Sequence, residues 1–184
     1  MLFEVTQGIR MTASKQVLMI SDTHGVIDPR IAALSRGCDY VAHAGDIGAA
    51  AVLDALRPHC AIVAVRGNND TPAQWPTHDL ARLDALPASA VLDLPGGALA
   101  IVHGHRSGPV AQRHQRLRAA YPACRDVLYG HSHRLVLGTD ALPWLINPGV
   151  ADRARTFGGP SCVLQVTRAK AWKVKALRFP LASD

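Results

Sequence analysis

The chain has 184 residues, of which 48% are hydrophobic and 18% charged, and its net charge of +6 gives an isoelectric point near 9.5. This composition predicts a folded domain with a sizeable core and argues against a disordered chain. No apolar run is long enough to span a bilayer, and the arginines are spread along the chain, so the charge permits a nucleic-acid partner without favouring one.

The N-terminal residues indicate how the chain is divided into domains, and together with the cysteines they indicate its cellular compartment. Residues 1–14 are predicted to be an N-terminal extension that can be flexible, and residues 15–184 a single domain. Glu4 and Gln7 interrupt the apolar stretch that a signal peptide needs. The four cysteines lack the spacing of a metal-binding or redox motif, which predicts reduced thiols in a cytoplasmic protein.

The first part of the chain alternates between short apolar runs and helical segments. Strands are predicted at 17–21, 39–44 and 61–65, with helices at 31–35 and 49–57 between them. Such alternation predicts parallel strands joined by right-handed crossovers.

The second part of the chain is dominated by strands. Residues 71–87 contain three prolines and are predicted to form a loop with at most a short helix. A helix is predicted between Pro109 and Tyr121, and strands at 88–94, 99–102, 126–129, 135–139, 144–146, 161–168 and 172–179. The change of pattern predicts an α/β (α+β) fold with two packed sheets, the first parallel and the later strands mixed.

The predicted helix after Pro109 carries the densest basic cluster of the chain, which is Arg113, His114, Arg116 and Arg118. A solvated helix face is the favoured interpretation, and a patch for an anionic substrate is the alternative.

Five short polar motifs each follow one of the predicted strands. They are Asp22-Thr-His24, Gly45-Asp46, Gly67-Asn68-Asn69-Asp70, His103-Gly-His105 and Gly130-His131-Ser-His133. Side chains at the carboxyl ends of neighbouring parallel strands converge on one crevice, so we expect these groups to lie together. Oxygen and imidazole donors without a thiolate suit divalent transition metals. The motifs therefore predict a metal-dependent hydrolase.

Each motif taken alone has a structural alternative. Asp46 could cap a following helix, residues 67–70 could form a turn, and paired histidines arise by chance. His43, in a predicted buried strand, could hydrogen-bond a metal ligand or be a core histidine. Trp75 could line a substrate rim or pack within its loop. The joint occurrence of five motifs, each directly after a strand, is what favours a metal site.

In this order the motifs resemble the signature of the calcineurin-like metallophosphoesterase superfamily, and more narrowly its small bacterial and archaeal phosphodiesterases. The resemblance covers residues 17–155. It implies a four-layer α-β-β-α sandwich of two mixed sheets with a binuclear metal site at one end. By position it implies Asp22, His24, Asp46 and His133 as ligands of the first metal, and Asp46, Asn68, His103 and His131 as ligands of the second.

The resemblance also implies a function. It predicts a binuclear phosphodiesterase that hydrolyses small phosphodiesters by attack of a metal-bound hydroxide on phosphorus, since metal binding lowers the pKa of water from about 15.7 to near neutrality. Manganese is the first choice of metal, with iron, zinc, nickel or cobalt as alternatives. Phosphomonoesterase or nuclease activity at the same site is the alternative function. A non-catalytic retromer-like scaffold is less favoured, because no ligand position is substituted. Relatives of this size often form dimers or tetramers, so the resemblance is compatible with a homo-oligomer. The sequence does not decide between a monomer and an oligomer.

The sequence departs from larger members of that superfamily at Asn69, where they have a histidine as the proton donor to the leaving group. Asn69 could orient the substrate phosphate but has no titratable proton to give. His105 is the candidate replacement acid and substrate contact, with a supporting or structural role as the equal alternative. Arg153 or Arg155 could contact phosphate, although a surface role is favoured for both.

Overall fold

The computed structural model of the chain describes residues 14–57, 60–152 and 158–181. The predicted extension, apart from its last residue, lies outside the described residues. So do the candidate phosphate contacts Arg153 and Arg155.

Strands and short helices make up most of the described chain. In chain order they are β1 (Lys15–Ile20), α1 (Pro29–Leu34), β2 (Tyr40–His43), α2 (Ala50–Leu56), β3 (Ala61–Ala64), α3 (Leu80–Asp84), β4 (Ser89–Leu94), β5 (Gly97–Val102), α4 (Val110–Ala120), β6 (Asp126–Leu128), β7 (Leu135–Gly138), β8 (Trp144–Pro148), β9 (Ser161–Thr167) and β10 (Trp172–Arg178). Short 3-10 turns follow α1 and precede α3. The prediction of a short helix within residues 71–87 is therefore confirmed.

The strands form two five-stranded mixed sheets. The first sheet has the order β10-β9-β1-β2-β3, and the second has the order β4-β5-β6-β8-β7. β1, β2 and β3 are parallel, as predicted. The expectation that the whole first sheet is parallel is wrong, because the final hairpin adds β9 and β10 to it in antiparallel register. In the second sheet β5, β6 and β8 are parallel and the edge strands are antiparallel.

Three hydrophobic clusters separate four layers. In β1, Leu18 and Ile20 pack with helices α1 and α2, whereas Val17 and Met19 pack against the second sheet. β5 alternates in the same way between the first sheet and α4. Burial of each such side chain stabilises the fold by about 1.5–3 kcal/mol. The alternation of period two thus produces the predicted α-β-β-α sandwich.

The helices of the first sheet begin at defined polar contacts. The Asp28 carboxylate accepts a hydrogen bond from the Arg30 backbone N–H at 2.8 Å, and Pro29 occupies the first turn of α1. The N–H of Ala50, which begins α2, donates to the Asp79 carboxylate at 3.0 Å. Asp46 is therefore not the cap of α2. Within the described chain, no helix has both the length and the apolar character that crossing a membrane requires.

Candidate metal centre

The five motifs follow β1, β2, β3, β5 and β6, at the carboxyl ends of strands that run parallel within each sheet. The two sheets meet at these ends. The backbone N–H of His131, after β6, donates to the Asp22 carboxylate, after β1, at 3.1 Å. The Asp22 N–H donates to the Gly45 carbonyl at 3.0 Å. The motif residues thus line one end of the sandwich.

Four side chains form a compact donor group. Asp22, His24, Asp46 and His133 each offer an oxygen or nitrogen atom, and these atoms lie within 4.8 Å of one another. The Nε2 atoms of His24 and His133 are 3.3 Å apart, and the latter is 3.4 Å from an Asp22 oxygen. Donors that each lie about 2.0–2.2 Å from a shared cation have separations of this size. The group therefore fits one divalent transition metal.

A second donor group surrounds His103. Its Nε2 atom lies 3.3 Å from an Asp46 oxygen and 3.0 Å from the Asn68 amide oxygen. Its Nδ1–H donates to the Ala44 carbonyl at 2.8 Å, which directs Nε2 towards a metal position. The ring of His131 is 5.3 Å away, between centroids. Asp46 belongs to both donor groups, as a bridging carboxylate requires.

The charges of Asp46 and His103 are coupled. Burial alone would raise the pKa of Asp46, but the contact with His103 and the hydrogen bonds from Asn69 outweigh burial and lower it. Burial would likewise lower the pKa of His103, but the hydrogen bond with Asp46, the charges of Asp22 and Asp46 and the hydrogen bond to Ala44 together outweigh burial and raise that pKa. The site thus favours an ionised carboxylate next to a positive charge, which a divalent cation supplies as well as a proton.

The backbone of the donor residues has an unusual conformation. Positive φ angles occur at Asp22 (55°), His24 (46°), Asp46 (54°), His131 (67°) and His133 (57°). Among the residues that the structure describes, these are the non-glycine positions with positive φ. A left-handed conformation at such a residue costs about 1–3 kcal/mol and concentrates at functional sites. The rest of the fold therefore holds the donors in conformations that they would not adopt alone.

Asp70 joins two of the motif loops. Its Oδ1 atom accepts hydrogen bonds from the N–H groups of Ile47 and Gly48, both at 2.9 Å, and from the Trp75 indole at 2.9 Å. Its Oδ2 atom accepts one from the Gly67 N–H at 2.8 Å. Asp70 thus orients the backbone of these loops, and Trp75, with 4% of its surface exposed, packs into the hydrophobic cluster between the first sheet and its helices.

Among the described residues, the side-chain hydrogen bonds of His43 link the first two motif loops and do not include a predicted ligand. Its Nδ1 atom accepts from the Gly45 N–H at 3.2 Å, so Nε2 carries the hydrogen and donates to the Thr23 hydroxyl at 2.9 Å. Thr23 in turn donates to the Ile47 carbonyl at 3.0 Å. Burial lowers the pKa of His43 to about 4, which keeps the ring neutral. His43 is thus a hydrogen-bonded core histidine.

Asn147 supports the last motif loop. Its side-chain amide donates to the Gly130 carbonyl at 2.9 Å and to the Ser132 hydroxyl at 3.0 Å. These bonds fix the segment that carries His131 and His133. Asn147 begins the Asn147-Pro-Gly149 turn, and the hydroxyl of Ser21, next to Asp22, donates to the Gly149 carbonyl at 2.7 Å, which holds this turn beside the first motif.

The two residues predicted to contact substrate, Asn69 and His105, each neighbour a member of the second donor group. The Asn69 backbone N–H and side-chain amide both donate to Asp46, at 2.8 and 2.7 Å. In this structure the Asn69 amide therefore orients a ligand. The ring of His105 lies 5.3 Å from that of His103 and 6.3 Å from that of His131. Its Nδ1 is buried without a hydrogen-bond partner among the described residues.

The environment of His105 favours the neutral ring. Burial, with a smaller contribution from the charge of His103, lowers the pKa of His105. A neutral imidazole can still donate a hydrogen bond through its N–H group. His105 is thus suited to hydrogen bonding as a neutral ring, because its lowered pKa makes the protonated form less abundant than that of an ordinary histidine at the same pH.

Sequence reasoning missed two features around the centre. A cavity of about 580 Å³ adjoins Asn68, His103 and His105, and its lining includes Arg66, Arg106 and Tyr121. Arg66 and Arg106 directly flank two of the motifs, at Gly67 and His105, which was an available signal. Tyr121, at the end of α4, lies far from every motif, and only the fold brings it to the cavity.

The second feature is Arg113. The expectation of a solvated helix face holds for Arg116 but is wrong for Arg113, which is 8% exposed. The Nε atom of Arg113 is buried without a hydrogen-bond partner in the described chain. Its charge contributes to lowering the pKa of His131, after burial and the charge of His103. The spacing of four residues to the buried Leu117 could have indicated this orientation.

Comparisons with known proteins agree with the fold. Residues 16–170 match the model of the calcineurin-like phosphoesterase superfamily domain. No curated protein sequence shows significant similarity to the chain.

Several solved structures share the fold. Vacuolar protein sorting 29 from Cryptosporidium parvum has a TM-score of 0.68 at 18% identity, covering 91% of this chain and 98% of that one. A Streptococcus pneumoniae protein described as a predicted phosphoesterase has a TM-score of 0.63 at 22% identity, covering 90% of both chains. An archaeal phosphodiesterase has a TM-score of 0.63 at 22% identity, covering 88% of this chain and 99% of that one. At these identities the likeness establishes the fold alone.

Proposed function

The chain belongs to the calcineurin-like phosphoesterase superfamily, and from this premise we propose that it is a binuclear metal-dependent phosphodiesterase acting on small phosphodiesters. The observation that carries the proposal is the convergence of both donor groups on the Asp46 carboxylate. When bound, two divalent cations supply a hydroxide nucleophile near neutral pH and offset charge on the phosphoryl oxygens. Manganese is the metal we propose first, since nitrogen and oxygen donors accept it readily.

The side chains have separate tasks in this proposal. Asp46 would be the ligand common to both cations, and the two hydrogen bonds from Asn69 fix the orientation of its carboxylate. Asn69 is half-buried, so its amide also borders the space for the substrate phosphate. His105 donates a hydrogen bond to the phosphate or to the leaving oxygen. Hydrolysis forms one P–O bond to the attacking oxygen and breaks the bond to the leaving group, which then takes up a proton.

A diester is a better substrate for this site than an alkyl monoester. An alkoxide leaves a monoester slowly unless its oxygen is protonated, and general acids contribute about 10²–10⁴-fold to such steps. Asn69 has no titratable proton, and the lowered pKa of His105 makes the protonated ring scarce at neutral pH. We therefore place phosphomonoesters behind phosphodiesters with good leaving groups.

A non-catalytic scaffold is the second candidate, and the likeness to vacuolar protein sorting 29 favours it. Against it stands the donor set, in which each position predicted from the motifs carries an oxygen or nitrogen ligand. If the protein is a scaffold, no divalent metal should support hydrolysis. If it is an enzyme, turnover should depend on the added metal.

The test is hydrolysis of bis(p-nitrophenyl) phosphate by chelator-treated protein, with and without added manganese. We expect turnover that depends on the metal. In Asp46→Asn the amide oxygen can bind one cation but cannot bridge two, so turnover should fall by at least about a hundredfold, with an unchanged circular dichroism spectrum.

Asp140→Asn is the matched control, because the side chain of Asp140 is 83% exposed and lies on the β7–β8 loop. It should retain full activity. Unchanged turnover in Asp46→Asn would refute the proposed mechanism, and inactivity of the folded wild-type protein with each metal tried would favour the scaffold.

A further inference from the structure

The cavity beside the second donor group is larger than a phosphoryl group needs. Its volume of about 580 Å³ lies within the range of roughly 300–1,000 Å³ typical of small-molecule sites. Asn68, His103 and His105 form the wall that it shares with the metal centre. A phosphate held at the metals would therefore direct one of its substituents into this space.

One wall of the cavity is apolar. Val102 at the end of β5 and Leu117 of α4 are both buried, and Ala120 and the half-buried Tyr121 continue this surface at the end of α4. An aromatic side chain beside aliphatic ones favours a flat ring, which can stack on Tyr121 with an offset.

Another part of the lining is basic. Arg66 donates from Nε to the Asp70 carbonyl at 2.8 Å, and its Nη1 is 4.0 Å from the carboxylate of the exposed Asp84. Arg106 is exposed and has no hydrogen-bond or ion-pair partner within the described chain. Guanidinium groups bind carboxylate and phosphate through paired hydrogen bonds, so both residues can receive an anion.

The acidic residue of the lining does not cancel this charge locally. Both carboxylate oxygens of Asp70 accept hydrogen bonds from N–H donors, namely those of Ile47, Gly48, Gly67 and Trp75. Its oxygens are thus engaged on the protein side of the wall, while the arginine side chains border the cavity.

From these observations we propose that the cavity binds one substituent of the substrate phosphate, and that this substituent has an aromatic ring and a second negative charge. A nucleoside that carries an additional phosphate has this chemistry. The ring packs on the wall formed by Leu117 and Tyr121, and the second anion binds Arg106 with Arg66. The inference rests on the proposed function, because the metal centre must hold the first phosphate.

The test measures inhibition of a small reporter reaction, the manganese-dependent hydrolysis of methyl p-nitrophenyl phosphate. The inhibitors are methyl phosphate, thymidine 5′-monophosphate and thymidine 3′,5′-bisphosphate, which share one phosphate and differ in the substituent. We expect the inhibition constant to fall by about tenfold when the nucleoside is added. The second phosphate should lower it by a further factor of about five to ten.

Two variants test which residues cause these two decreases in the inhibition constant. Tyr121→Ala should reduce the ratio between the constants of methyl phosphate and the monophosphate. Arg106→Gln should reduce the ratio between those of the monophosphate and the bisphosphate. Arg36→Gln is the matched control, because it removes the same charge from an exposed residue in the 3-10 turn after α1, and it should leave both ratios unchanged.

The outcomes separate the inference from the proposed function. If the reporter is hydrolysed but the three inhibitors bind equally well, the inference is wrong and the phosphodiesterase proposal stands. If Arg106→Gln and Arg36→Gln reduce the bisphosphate preference equally, net charge explains it and the inference is also wrong. If the folded protein does not hydrolyse the reporter with any metal, the proposed function fails and the inference fails with it.

Discussion

At the residue scale, the donor side chains depend on backbone conformations that only the surrounding fold can maintain. Asp22, His24 and Asp46 have left-handed φ angles, and hydrogen bonds from neighbouring loops hold each of these positions. The His24 N–H donates to the Asp46 carbonyl at 2.9 Å, and the Gly25 N–H to the Ile47 carbonyl at 2.7 Å. A metal site built in this way is preorganised, because the strain is compensated by folding and not by the metal.

His105 provides a test at this scale. If it donates a proton or a hydrogen bond to the leaving oxygen, His105→Ala should lower turnover of an alkyl leaving group by about ten- to a hundredfold more than that of p-nitrophenolate. An aryloxide leaves without this assistance, whereas an alkoxide needs it. The measurement is kcat for two diesters that differ only in the leaving group.

His78→Ala is the control, since the side chain of His78 is 83% exposed in the turn before α3. It should leave both kcat values unchanged. Equal losses for the two substrates in His105→Ala would show that His105 positions its neighbours and does not assist departure of the leaving group.

At the element scale, the motif loops approach one another too closely for side chains at some glycines. A Cβ atom on Gly67 would overlap the carboxylate oxygen and the backbone nitrogen of Asp46. A Cβ atom on Gly48 would overlap the backbone of His24 and Gly25. The glycines of these motifs therefore allow the loops after β1, β2 and β3 to pack at the distances that the donor groups require.

Gly67→Ala tests this packing. The added methyl group should displace Asp46 and lower the affinity for manganese by about ten- to a hundredfold. It should also reduce the free energy of unfolding by about 1–3 kcal/mol. The measurements are manganese titration and chemical denaturation of the metal-free protein.

Gly37→Ala is the matched control, because no atom lies within 4 Å of a Cβ atom built there. It should change stability by less than about 0.5 kcal/mol and leave manganese affinity unchanged. Wild-type affinity in Gly67→Ala would contradict the proposed dependence of the metal centre on the Asp46–Gly67 contact.

Most strands, and the donor residues that follow them, could be predicted from the sequence. Strand ends and metal-binding residue types are local signals. The apolar runs before Asp22, Asp46 and His131 predicted strands, and the structure brings the first two residues into one donor group. Contacts between distant segments could not be predicted in this way. The two hydrogen bonds of Asn69 to Asp46 depend on how the loops after β2 and β3 meet in three dimensions.

At the scale of the whole molecule, the sequence also could not predict which strands belong to which sheet. The hairpin of β9 and β10 comes last in the chain, yet β9 pairs with β1 in the first sheet. Alternation within a strand indicates two faces but does not identify the neighbouring strand.

A buried pair of polar side chains joins β9 of the first sheet to β6 of the second. The Gln165 amide, in β9, donates to the Asp126 carboxylate, in β6, at 2.7 Å. The remaining oxygens, Oδ1 of Asp126 and Oε1 of Gln165, have no hydrogen-bond partner among the described residues. A proton on Asp126 would allow it to donate to Gln165. Burial, which outweighs the hydrogen bond from Gln165, raises the pKa of Asp126 to about 7.

This pair predicts how stability depends on pH. Between the ordinary pKa of 3.8 and about 7, the unfolded chain has lost the Asp126 proton and the folded chain retains it. The contribution of Asp126 to stability is therefore full below about pH 4 and is lost as the pH rises to about 7. Asp126→Asn removes this loss and gives Gln165 a permanent N–H donor. It should be more stable than the wild type above pH 7, by on the order of 1–4 kcal/mol, and equal to it near pH 4.

The measurement is urea denaturation of both proteins across this pH range. Asp93→Asn is the control, because Asp93 is exposed on β4 of the same sheet, and it should follow the wild type throughout. A stability difference between Asp126→Asn and the wild type that stays constant from pH 4 to pH 8 would show that Asp126 does not retain its proton in the folded protein.

The account of the molecule depends most on the claim that the loops at one end of the sandwich together bind two cations. The most direct measurement is an anomalous difference map from crystals grown with excess manganese. We predict two peaks about 3.5–4 Å apart on either side of the Asp46 carboxylate, one beside His24 and His133 and the other beside His103 and His131. A map without peaks at this position, with those four imidazole rings directed away from one another, would contradict the claim.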